Sequence, residues 1–439
     1  MFKFKGGIHP NDFKITKNTY IQDAPIPTMV IIPLQQHIGS PAVPLVKVGD
    51  IVKTGQKIGE AKGNVSVPVH ASITGVVKDI KNCLTPIGVP AQSIVIEARG
   101  EEQIETLPKL FTDYYRYDSS ELTAIIKEAG IVGLGGASFP THVKLSPPAN
   151  KPILTVIANG AECEPFLTSD HRLMIEYAHG IIEGLKIVLH IVGADKGAIC
   201  IEDNKTEAIL VMRQEAAKQP NMEVCVLKTR YPQGAEKQLI YSVTGRKVPP
   251  GGLPMDVECV VDNVGTLYAI KNAFLKGRTL TERIVTVTGD NLERPANLRV
   301  RIGTPIRELL NFCGWNGKAG KIISGGPMMG ITQTSIDVPV IKSTSGILVL
   351  DENSIKNEPY SDCIKCGRCI KNCPMNLMPC LIQVYSEKLM WEQVEKLNVS
   401  DCIECGCCSY ECPAKLPIVQ SAKWAKVEIR KMRSKAKNG

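Results

Sequence analysis

The sequence contains few aromatic residues (5%) and no apolar run long enough to cross a membrane. Its most apolar helical stretch, residues 181–194, contains Glu183, Lys186 and His190, and it is shorter than the roughly 20 residues that a transmembrane helix requires. The opening residues, Met1-Phe-Lys-Phe-Lys-Gly-Gly, lack the apolar core of a secretory signal peptide. We therefore expect a protein without a transmembrane span that is not secreted.

A disulfide framework is also missing, although the chain contains 16 cysteines. Half of them are scattered without regular spacing, which is typical of free thiols in a reducing cytoplasm. We predict that these are unpaired: Cys83, Cys163, Cys200, Cys225, Cys259, Cys313, Cys380 and Cys407. Cys407 breaks the spacing of a motif described below, and we interpret it as a packing thiol.

The basic charge of the chain is mild and unevenly placed. The formal net charge is +8, and the excess lies in the last 25 residues, where Glu428 is the only acid. The basic residues there are Lys415, Lys423, Lys426, Arg430, Lys431, Arg433, Lys435 and Lys437. Because no nucleic-acid-binding motif accompanies them, we predict no nucleic-acid partner. Such a tail favours an acidic partner or an anionic membrane surface, with a solvated terminus as the alternative.

Two copies of one cysteine pattern, Cys-x2-Cys-x2-Cys-x3-Cys-Pro, form an internal repeat near the C-terminus. This pattern holds 4Fe–4S cubanes in bacterial ferredoxins, and its fourth cysteine ligates the other cluster in two-cluster proteins. We therefore predict one cluster on Cys363, Cys366, Cys369 and Cys412. The second is predicted on Cys402, Cys405, Cys408 and Cys373. Zinc is the weaker alternative, since zinc sites usually show pairs of cysteines rather than triplets.

The remaining sequence predicts a multidomain fold of the α/β and α+β classes. Residues 30–98 show short strands separated by Gly and Pro, which resembles the barrel-sandwich of biotinyl and lipoyl carriers. Those carriers place a lysine at a hairpin tip, but Val67-Pro-Val-His-Ala-Ser contains none, so we expect no carrier function and a structural role for His70.

Helix and strand signals alternate downstream of the barrel, which predicts a parallel α/β sheet. Ser120 is the predicted N-cap of a helix over residues 121–129. We divide the chain into an N-terminal segment, the barrel, an α/β cofactor domain, a β-grasp module, a two-cluster ferredoxin domain and a basic helix with tail: 1–29, 30–98, 112–278, 280–350, 355–417 and 418–439.

A glycine-rich loop, Gly130-Ile-Val-Gly-Leu-Gly-Gly-Ala-Ser-Phe-Pro-Thr141, precedes Lys144 in the α/β region. Glycines let a backbone approach a flat ring or a phosphate without a Cβ clash. The spacing fits neither a Rossmann motif nor a P-loop. At this point a plain turn remains the alternative.

A second polar segment follows the predicted buried strand over residues 153–158. It contains Asn159, Glu162 and Glu164. Parallel α/β sheets bind ligands at the carboxyl ends of their strands. Asn159 can therefore hydrogen-bond a heterocycle, and the carboxylates can orient a nicotinamide or a ribose, unless they are ordinary surface acids.

Four motifs in order over about residues 119–276 resemble the NADH-binding flavoprotein subunit of respiratory complex I. Besides the two above, they are Tyr231-Pro-Gln-Gly-Ala-Glu236 and Asp262-Asn-Val-Gly-Thr266. The resemblance implies non-covalent FMN and NAD(H). The residues implied to bind them are Gly133, Gly135, Gly136, Ala137, Phe139, Lys144, Asn159, Glu162, Glu164, Tyr231, Gly234, Glu236, Asp262, Asn263 and Thr266. Two departures stand out, because Leu134 replaces an arginine and Ala235 replaces a glutamate.

The order of parts along the whole chain, including Phe4-Lys-Gly-Gly-Ile-His-Pro, is similar to the RnfC family, the NADH-binding subunits of the Rnf membrane complexes. The resemblance implies an NAD-dependent oxidoreductase subunit of the translocase class, peripheral to the cytoplasmic side of the membrane. It would pass electrons between NAD(H), FMN and two 4Fe–4S clusters, coupled in the complex to ferredoxin–NAD electron transfer and Na⁺ or H⁺ movement. Its partners would be the other Rnf subunits, and ferredoxin indirectly.

We expect no protein acid or base to be essential for hydride transfer, because the flavin carries that reaction. Two alternatives remain open. One is a soluble flavin/iron–sulfur reductase of related architecture, such as a cobalamin reductase. The other is a non-enzymatic electron-wiring subunit whose flavin domain has lost its nucleotide.

Overall fold

The structure is a computed structural model that describes residues 2–110, 113–355 and 359–438, with side chains to residue 435. The predicted domain start at residue 112 and the side chain of Lys437 lie outside the described part. The predicted fold class is confirmed, since barrel, α/β, β-grasp and ferredoxin-like parts follow one another. The boundaries given above for the domains stay predictions. No described helix is long and apolar enough to cross a membrane.

The N-terminal segment contributes one strand, β1 (Ile21–Asp23). The barrel follows with β2 (Met29–Pro33), β3 (Val43–Pro44), β4 (Ile51–Val52), β5 (Lys57–Glu60), β6 (Val69–His70), β7 (Gly75–Leu84) and β8 (Pro90–Ala98). Two sheets, ordered β2-β8-β7-β4 and β3-β5-β6, enclose its core. The register pairs Val30 with Ile96 and Ile32 with Ile94, so alternate side chains point inward.

His70 ends strand β6 and is buried. Burial lowers the pKa of its imidazole well below the usual value, and the ammonium groups of Lys342 and Lys57 act in the same direction. A neutral, buried ring suits the structural role that the sequence predicts.

The α/β domain contains α1 (Ser119–Glu128), α2 (Thr141–Lys144), β9 (Thr155–Gly160), α3 (Ser169–Glu176), α4 (Ala178–Val192), β10 (Lys196–Glu202), α5 (Thr206–Ala216), β11 (Met222–Leu227), α6 (Glu236–Thr244), β12 (Cys259–Asn263) and α7 (Val264–Lys276). Its sheet is parallel, in the order β11-β10-β9-β12. Helices α4 and α7 pack closely because Gly184 has no side chain, and a Cβ there would clash with the backbone of Leu267.

The predicted N-cap of α1 is wrong by two residues. Asp118 caps the helix, and its Oδ1 accepts hydrogen bonds from the N–H groups of Ser120 (2.8 Å) and Glu121 (2.9 Å). A carboxylate is the stronger acceptor beside the positive end of a helix, so Ser120 lies inside the first turn.

The β-grasp module contains β13 (Glu282–Gly289), β14 (Ala296–Arg301), α8 (Ile306–Phe312), β15 (Lys321–Ser324), β16 (Ile331–Thr332) and β17 (Gly346–Leu350). Strands β13 and β14 form an antiparallel pair. Strand β1 extends this sheet by pairing in parallel with β14. The N-terminal segment therefore belongs structurally to a module that begins about 260 residues later along the chain.

The C-terminal region contains α9 (Arg368–Lys371), α10 (Pro379–Glu387), α11 (Trp391–Lys396), α12 (Cys407–Tyr410) and α13 (Ile418–Asn438). Short 3-10 helices lie at Asp113–Arg116, Pro254–Val257, Glu352–Ser354 and Val399–Asp401. Helix α13 buries Ala422, Ala425 and Ile429 against α10 and α11, whereas Trp424 and Val427 stay 44% exposed. Its apolar face is thus part of the ferredoxin core.

Candidate functional site

The glycine loop leaves an open surface beside the parallel sheet. The N–H of Gly133 donates to the carbonyl of Phe139 (2.9 Å), which closes the loop on itself. An ideal Cβ on Gly136 would meet nothing within 4 Å, whereas one on Gly135 would lie 2.6 Å from the Asn263 amide nitrogen. The loop is therefore pressed against Asn263 on one side and free to accept a flat ligand on the other.

Asn159 and Asn263 lie opposite each other at the carboxyl ends of the adjacent strands β9 and β12. The side-chain nitrogen of Asn159 donates to the carbonyl of Gly234 (2.9 Å), and its oxygen accepts from the N–H of Ala161 (3.1 Å). Asn159 thereby joins the second and third predicted segments at the carboxyl edge of the sheet.

Asn263 joins the fourth segment to the glycine loop. Its oxygen caps α7 through the N–H of Gly265 (2.8 Å), and its nitrogen donates to Asp170 (2.7 Å). The hydroxyl of Thr266 accepts from the N–H of Leu134 (3.0 Å). The four segments that the sequence singled out therefore meet at one place.

Charged groups line the same edge. Lys144 Nζ donates to the carbonyl of Val261 (2.6 Å) and lies 3.3 Å from Oδ1 of Asp262. Burial raises the pKa of Asp262 and of Glu236, and Lys144 opposes both shifts. A cation and two carboxyl groups are therefore coupled at the edge of the sheet.

Among the described residues, three buried oxygens near the loop have no hydrogen-bond partner: Oγ of Ser138, Oγ1 of Thr141 and Oδ2 of Asp262. Buried polar atoms normally find partners. The unsatisfied atoms and the open face at Gly136 fit a polar, flat cofactor such as FMN. On the same loop Ala137 is exposed and Phe139 is half-buried.

Glu162 holds the start of α3. Its Oε1 accepts from the N–H of Asp170 (2.9 Å) and the hydroxyl of Ser169 (3.2 Å), and its Oε2 accepts from the N–H of His171 (3.3 Å). Both oxygens are thus occupied by the helix, and contact between Glu162 and a cofactor stays a prediction.

Glu164 faces the β-grasp module. Its carboxylate accepts from the N–H groups of Met328 (3.1 Å) and Met329 (2.8 Å). Burial raises the pKa of Glu164 to about 7, against the effect of these donors. A group that titrates near neutrality therefore lies at the boundary of the two modules.

Sequence reasoning missed Lys14 in the N-terminal segment. Its buried ammonium donates to the carbonyls of Glu162 (3.2 Å), Glu164 (2.9 Å) and Leu167. No motif surrounds Lys14, so no pattern in the sequence signals this contact. It fixes the backbone of the second segment from outside the α/β domain.

Tyr231 connects the α/β domain to the second cysteine motif. Its hydroxyl donates to the carbonyl of Cys405 (2.8 Å), and the Cys407 thiol lies 3.8 Å from the carbonyl of Tyr231. Ile8 forms a bridge with Tyr231, and Cys163 packs into the same cluster. Residues of the predicted flavin site and of the second motif are thus in direct contact.

The structure brings the predicted ligands of the second cluster around one pocket that is partly open to solvent. Its cysteines are Cys373, Cys402, Cys405 and Cys408, with Cys407 beside them. Backbone N–H groups of Leu377 and Glu404 donate to the sulfurs of Cys373 and Cys402 (3.4 Å each). The cavity is otherwise apolar, which suits a cluster held by thiolates.

Three predicted ligands of the first cluster, Cys363, Cys369 and Cys412, pack together with Cys380, whereas Cys366 is exposed. Within the described ranges, no three His, Cys, Asp or Glu side chains are close enough to hold a single metal ion. A cubane needs wider spacing, because each thiolate binds a different iron atom. The thiol-only donor sets suit iron–sulfur ligation rather than a hard cation.

Family comparisons agree with this arrangement. The Nuo51 FMN-binding domain model matches residues 126–272, and the RnfC barrel sandwich hybrid domain model matches residues 2–101. The SLBB domain model matches residues 284–332, and a 4Fe-4S dicluster domain model matches residues 355–413. The order of parts is the one that the sequence predicted.

Curated relatives match nearly the whole chain. The C subunit of the Na(+)-translocating ferredoxin:NAD(+) oxidoreductase complex of Acetobacterium woodii is 47% identical over 434 residues, covering 98% of both chains. The C subunit of the proton-translocating ferredoxin:NAD(+) oxidoreductase complex of Clostridium ljungdahlii is 46% identical, covering 97% of this chain and 94% of its own.

Solved structures show the same fold at lower identity. An NAD+-reducing [NiFe]-hydrogenase in the H2-reduced state is 17% identical with a TM-score of 0.52, over 72% of this chain and 63% of that one. Its air-oxidized state is 19% identical with a TM-score of 0.51, over 66% and 57%. The chain thus spans less than two thirds of the hydrogenase chain it matches.

Proposed function

Because the chain belongs to the RnfC family of ferredoxin:NAD+ oxidoreductase complexes, we propose that it passes electrons between NAD(H) and its partner subunits through FMN and two 4Fe–4S clusters. A cobalamin reductase is not favoured, since both named relatives match over nearly full length. The observation that carries the proposal is the hydrogen bond of Tyr231, a flavin-segment residue, to Cys405 of the second cysteine motif.

The chain's own residues prepare the site for a two-electron to one-electron conversion. FMN held at this site would supply hydride exchange with NAD(H) and single-electron exchange with the clusters. The glycine loop admits the cofactor, while Asn159, Asn263 and Thr266 fix the segments around it. Lys144 offsets the negative charge of Asp262 and would also offset that of a bound phosphate. Glu164 and Glu236 are the proposed nicotinamide contacts.

We assign the clusters in the crossed arrangement. Cys373 shares a cavity with Cys402, Cys405 and Cys408, which supports its ligation of that cluster. Because Tyr231 contacts the same motif, we assign this cluster as the nearer of the two to the flavin site. The cluster near exposed Cys366 then faces the next carrier.

The subunit's proposed place in the complex rests on its surface and its relatives. We propose that ion movement takes place in other subunits of the complex. The two relatives are named for different ions, sodium and protons, so the family does not fix the coupling ion. We propose peripheral attachment on the cytoplasmic side, other Rnf subunits as direct partners and ferredoxin as an indirect one.

Anaerobic reduction tests the proposal. NADH added to the purified protein should bleach flavin absorbance and then cluster absorbance. A flavin-free control, Gly136→Val, should bleach only with dithionite. Wild-type protein without flavin, or clusters that NADH reduces equally well in the control, would refute the proposed route.

A further inference from the structure

The glycine loop lacks a charged side chain at Leu134, whose own side chain is buried. Beside it lies a cavity of about 720 Å³, partly open to solvent, between α7 and the β-grasp module. Leu134, Asp170 and Asn263 line the cavity from the α/β domain, and Arg283 lines it from strand β13. A buried cation from the β-grasp module, Arg283, therefore reaches the glycine loop at Leu134, where the complex I flavoprotein family has an arginine.

Arg283 is held in place by main-chain oxygens. Its guanidinium donates to the carbonyls of Lys342 and of Ile284 (3.3 Å), and Nη2 donates to the carbonyl of Leu134 (3.4 Å). Thr266 already accepts from the Leu134 N–H. Both backbone polar groups of Leu134 are thus fixed, one by α7 and one by Arg283.

Arg283 also balances a buried acid. Burial lowers the pKa of Arg283 to about 10, and the Asp170 carboxylate opposes that shift. Asp170 in turn accepts from the side-chain nitrogen of Asn263 (2.7 Å). Burial and the Glu162 carboxylate raise the pKa of Asp170, whereas the cations Arg283 and Lys14 oppose that shift. Without Arg283, the Asp170 charge would lose one of these two cations in a low-dielectric site, which is costly.

We propose that Arg283 replaces the arginine missing at Leu134, as a positioning residue that sets the glycine loop and Asn263 for FMN and supplies positive charge to that side of the site. The proposal rests on FMN binding as part of the proposed function. The flavin site is then built by two modules, because the α/β domain supplies the glycine loop and Asn263 while the β-grasp module supplies Arg283.

The test is FMN affinity of flavin-depleted full-length protein, measured by quenching of flavin fluorescence. Arg283→Gln should weaken FMN binding by about tenfold or more, which corresponds to about 1.4 kcal/mol, because the loop loses its anchor and the site loses a charge. Arg283→Lys keeps the positive charge but lacks the several N–H donors of the guanidinium, and it should recover most of the lost FMN affinity. Arg278→Gln is the matched control: it lines the same cavity, is exposed, and should bind FMN as the wild type does.

Iron content checks that each variant folds. If Arg283→Gln loses its clusters, FMN affinity is measured instead on the double variant Arg283→Gln/Asp170→Asn. This variant should fold, because it removes the buried charges of both residues together. Weakened FMN binding by that folded variant supports the role of Arg283, and wild-type affinity in either variant overturns it. A wild-type protein that does not bind FMN would instead contradict the proposed function.

Discussion

Cys373→Ala is the sharpest test of how the clusters are held. Two cubanes require about eight iron atoms and eight acid-labile sulfides per chain. Cys373 lines one pocket with Cys402, Cys405 and Cys408. In the crossed arrangement that we propose, removal of its sulfur takes one of four ligands from that cluster alone. We expect iron to fall from about eight to about four atoms per chain.

Cys407→Ala is the matched control, because Cys407 is buried beside the same cavity but stands outside the ligand spacing. We expect this variant to keep about eight iron atoms. Loss of half the iron here would show that any substitution in the cavity expels the cluster, and Cys373 would then carry no special role.

Double variants separate the crossed from the uncrossed arrangement. With crossed ligands, Cys373→Ala/Cys402→Ala damages one cluster and retains about four iron atoms, whereas Cys373→Ala/Cys366→Ala damages both. Uncrossed ligands predict the reverse. Near-complete iron loss in Cys373→Ala/Cys402→Ala, together with half retention in Cys373→Ala/Cys366→Ala, would refute the assignment.

Three further predictions concern the flavin, pH and attachment. Acid precipitation should release free FMN, and FAD in the supernatant would contradict the proposed cofactor. The Gly136→Val variant should lose flavin but keep its iron, because the valine side chain fills the open face of the loop. Burial raises the pKa of Glu164 to about 7 from 4.5, so the folded state holds a proton that the unfolded state releases. This proton stabilises the folded state below pH about 4.5, and the stabilisation is lost as pH rises through about 7, at about 1.4 kcal/mol per pH unit. The free energy of unfolding of Glu164→Gln should therefore depend less steeply on pH between about 5 and about 8 than that of the wild type. An unchanged slope would exclude Glu164 as the cause. Deleting residues 431–439 removes basic residues, each worth about 1 kcal/mol at an anionic surface, but spares the buried face of α13. NADH oxidation by an artificial acceptor should persist while membranes release the protein at lower salt, and unchanged retention would place attachment elsewhere.

Local chemistry makes much of this molecule predictable. Spacing within two short runs predicts the cluster ligands, and local periodicity predicts the barrel and the parallel sheet, which the structure contains. The N-cap at Asp118 escapes prediction because Asp118 and Ser120, two residues apart, are both good capping residues, and the carboxylate is the stronger acceptor. The packing of α13 escapes prediction because its most buried residues include Ala422 and Ala425, whereas Trp424 is 44% exposed and reaches only the edge of the contact, at Trp391.

Contacts between distant parts could not be predicted. Tyr231 and Cys405 are separated by 174 residues, and Arg283 and Leu134 by 149. Neither contact leaves a periodic signal, since each depends on how whole modules pack. The sequence could therefore identify the flavin segments and the cysteines but not that they touch.

The bracing of the flavin segment by the N-terminal residues has a consequence for the order of assembly during synthesis. Lys14 finds its carbonyl partners 148 to 153 residues later. Ile8 pairs with Tyr231, and Ile21–Asp23 pair with a strand near Asn297. On the ribosome these early residues lack their partners until residues 162–167, 231 and 297 have been synthesised in turn. Because contacts between residues far apart in the sequence form slowly, we expect the N-terminal segment to dock after the parallel sheet has formed.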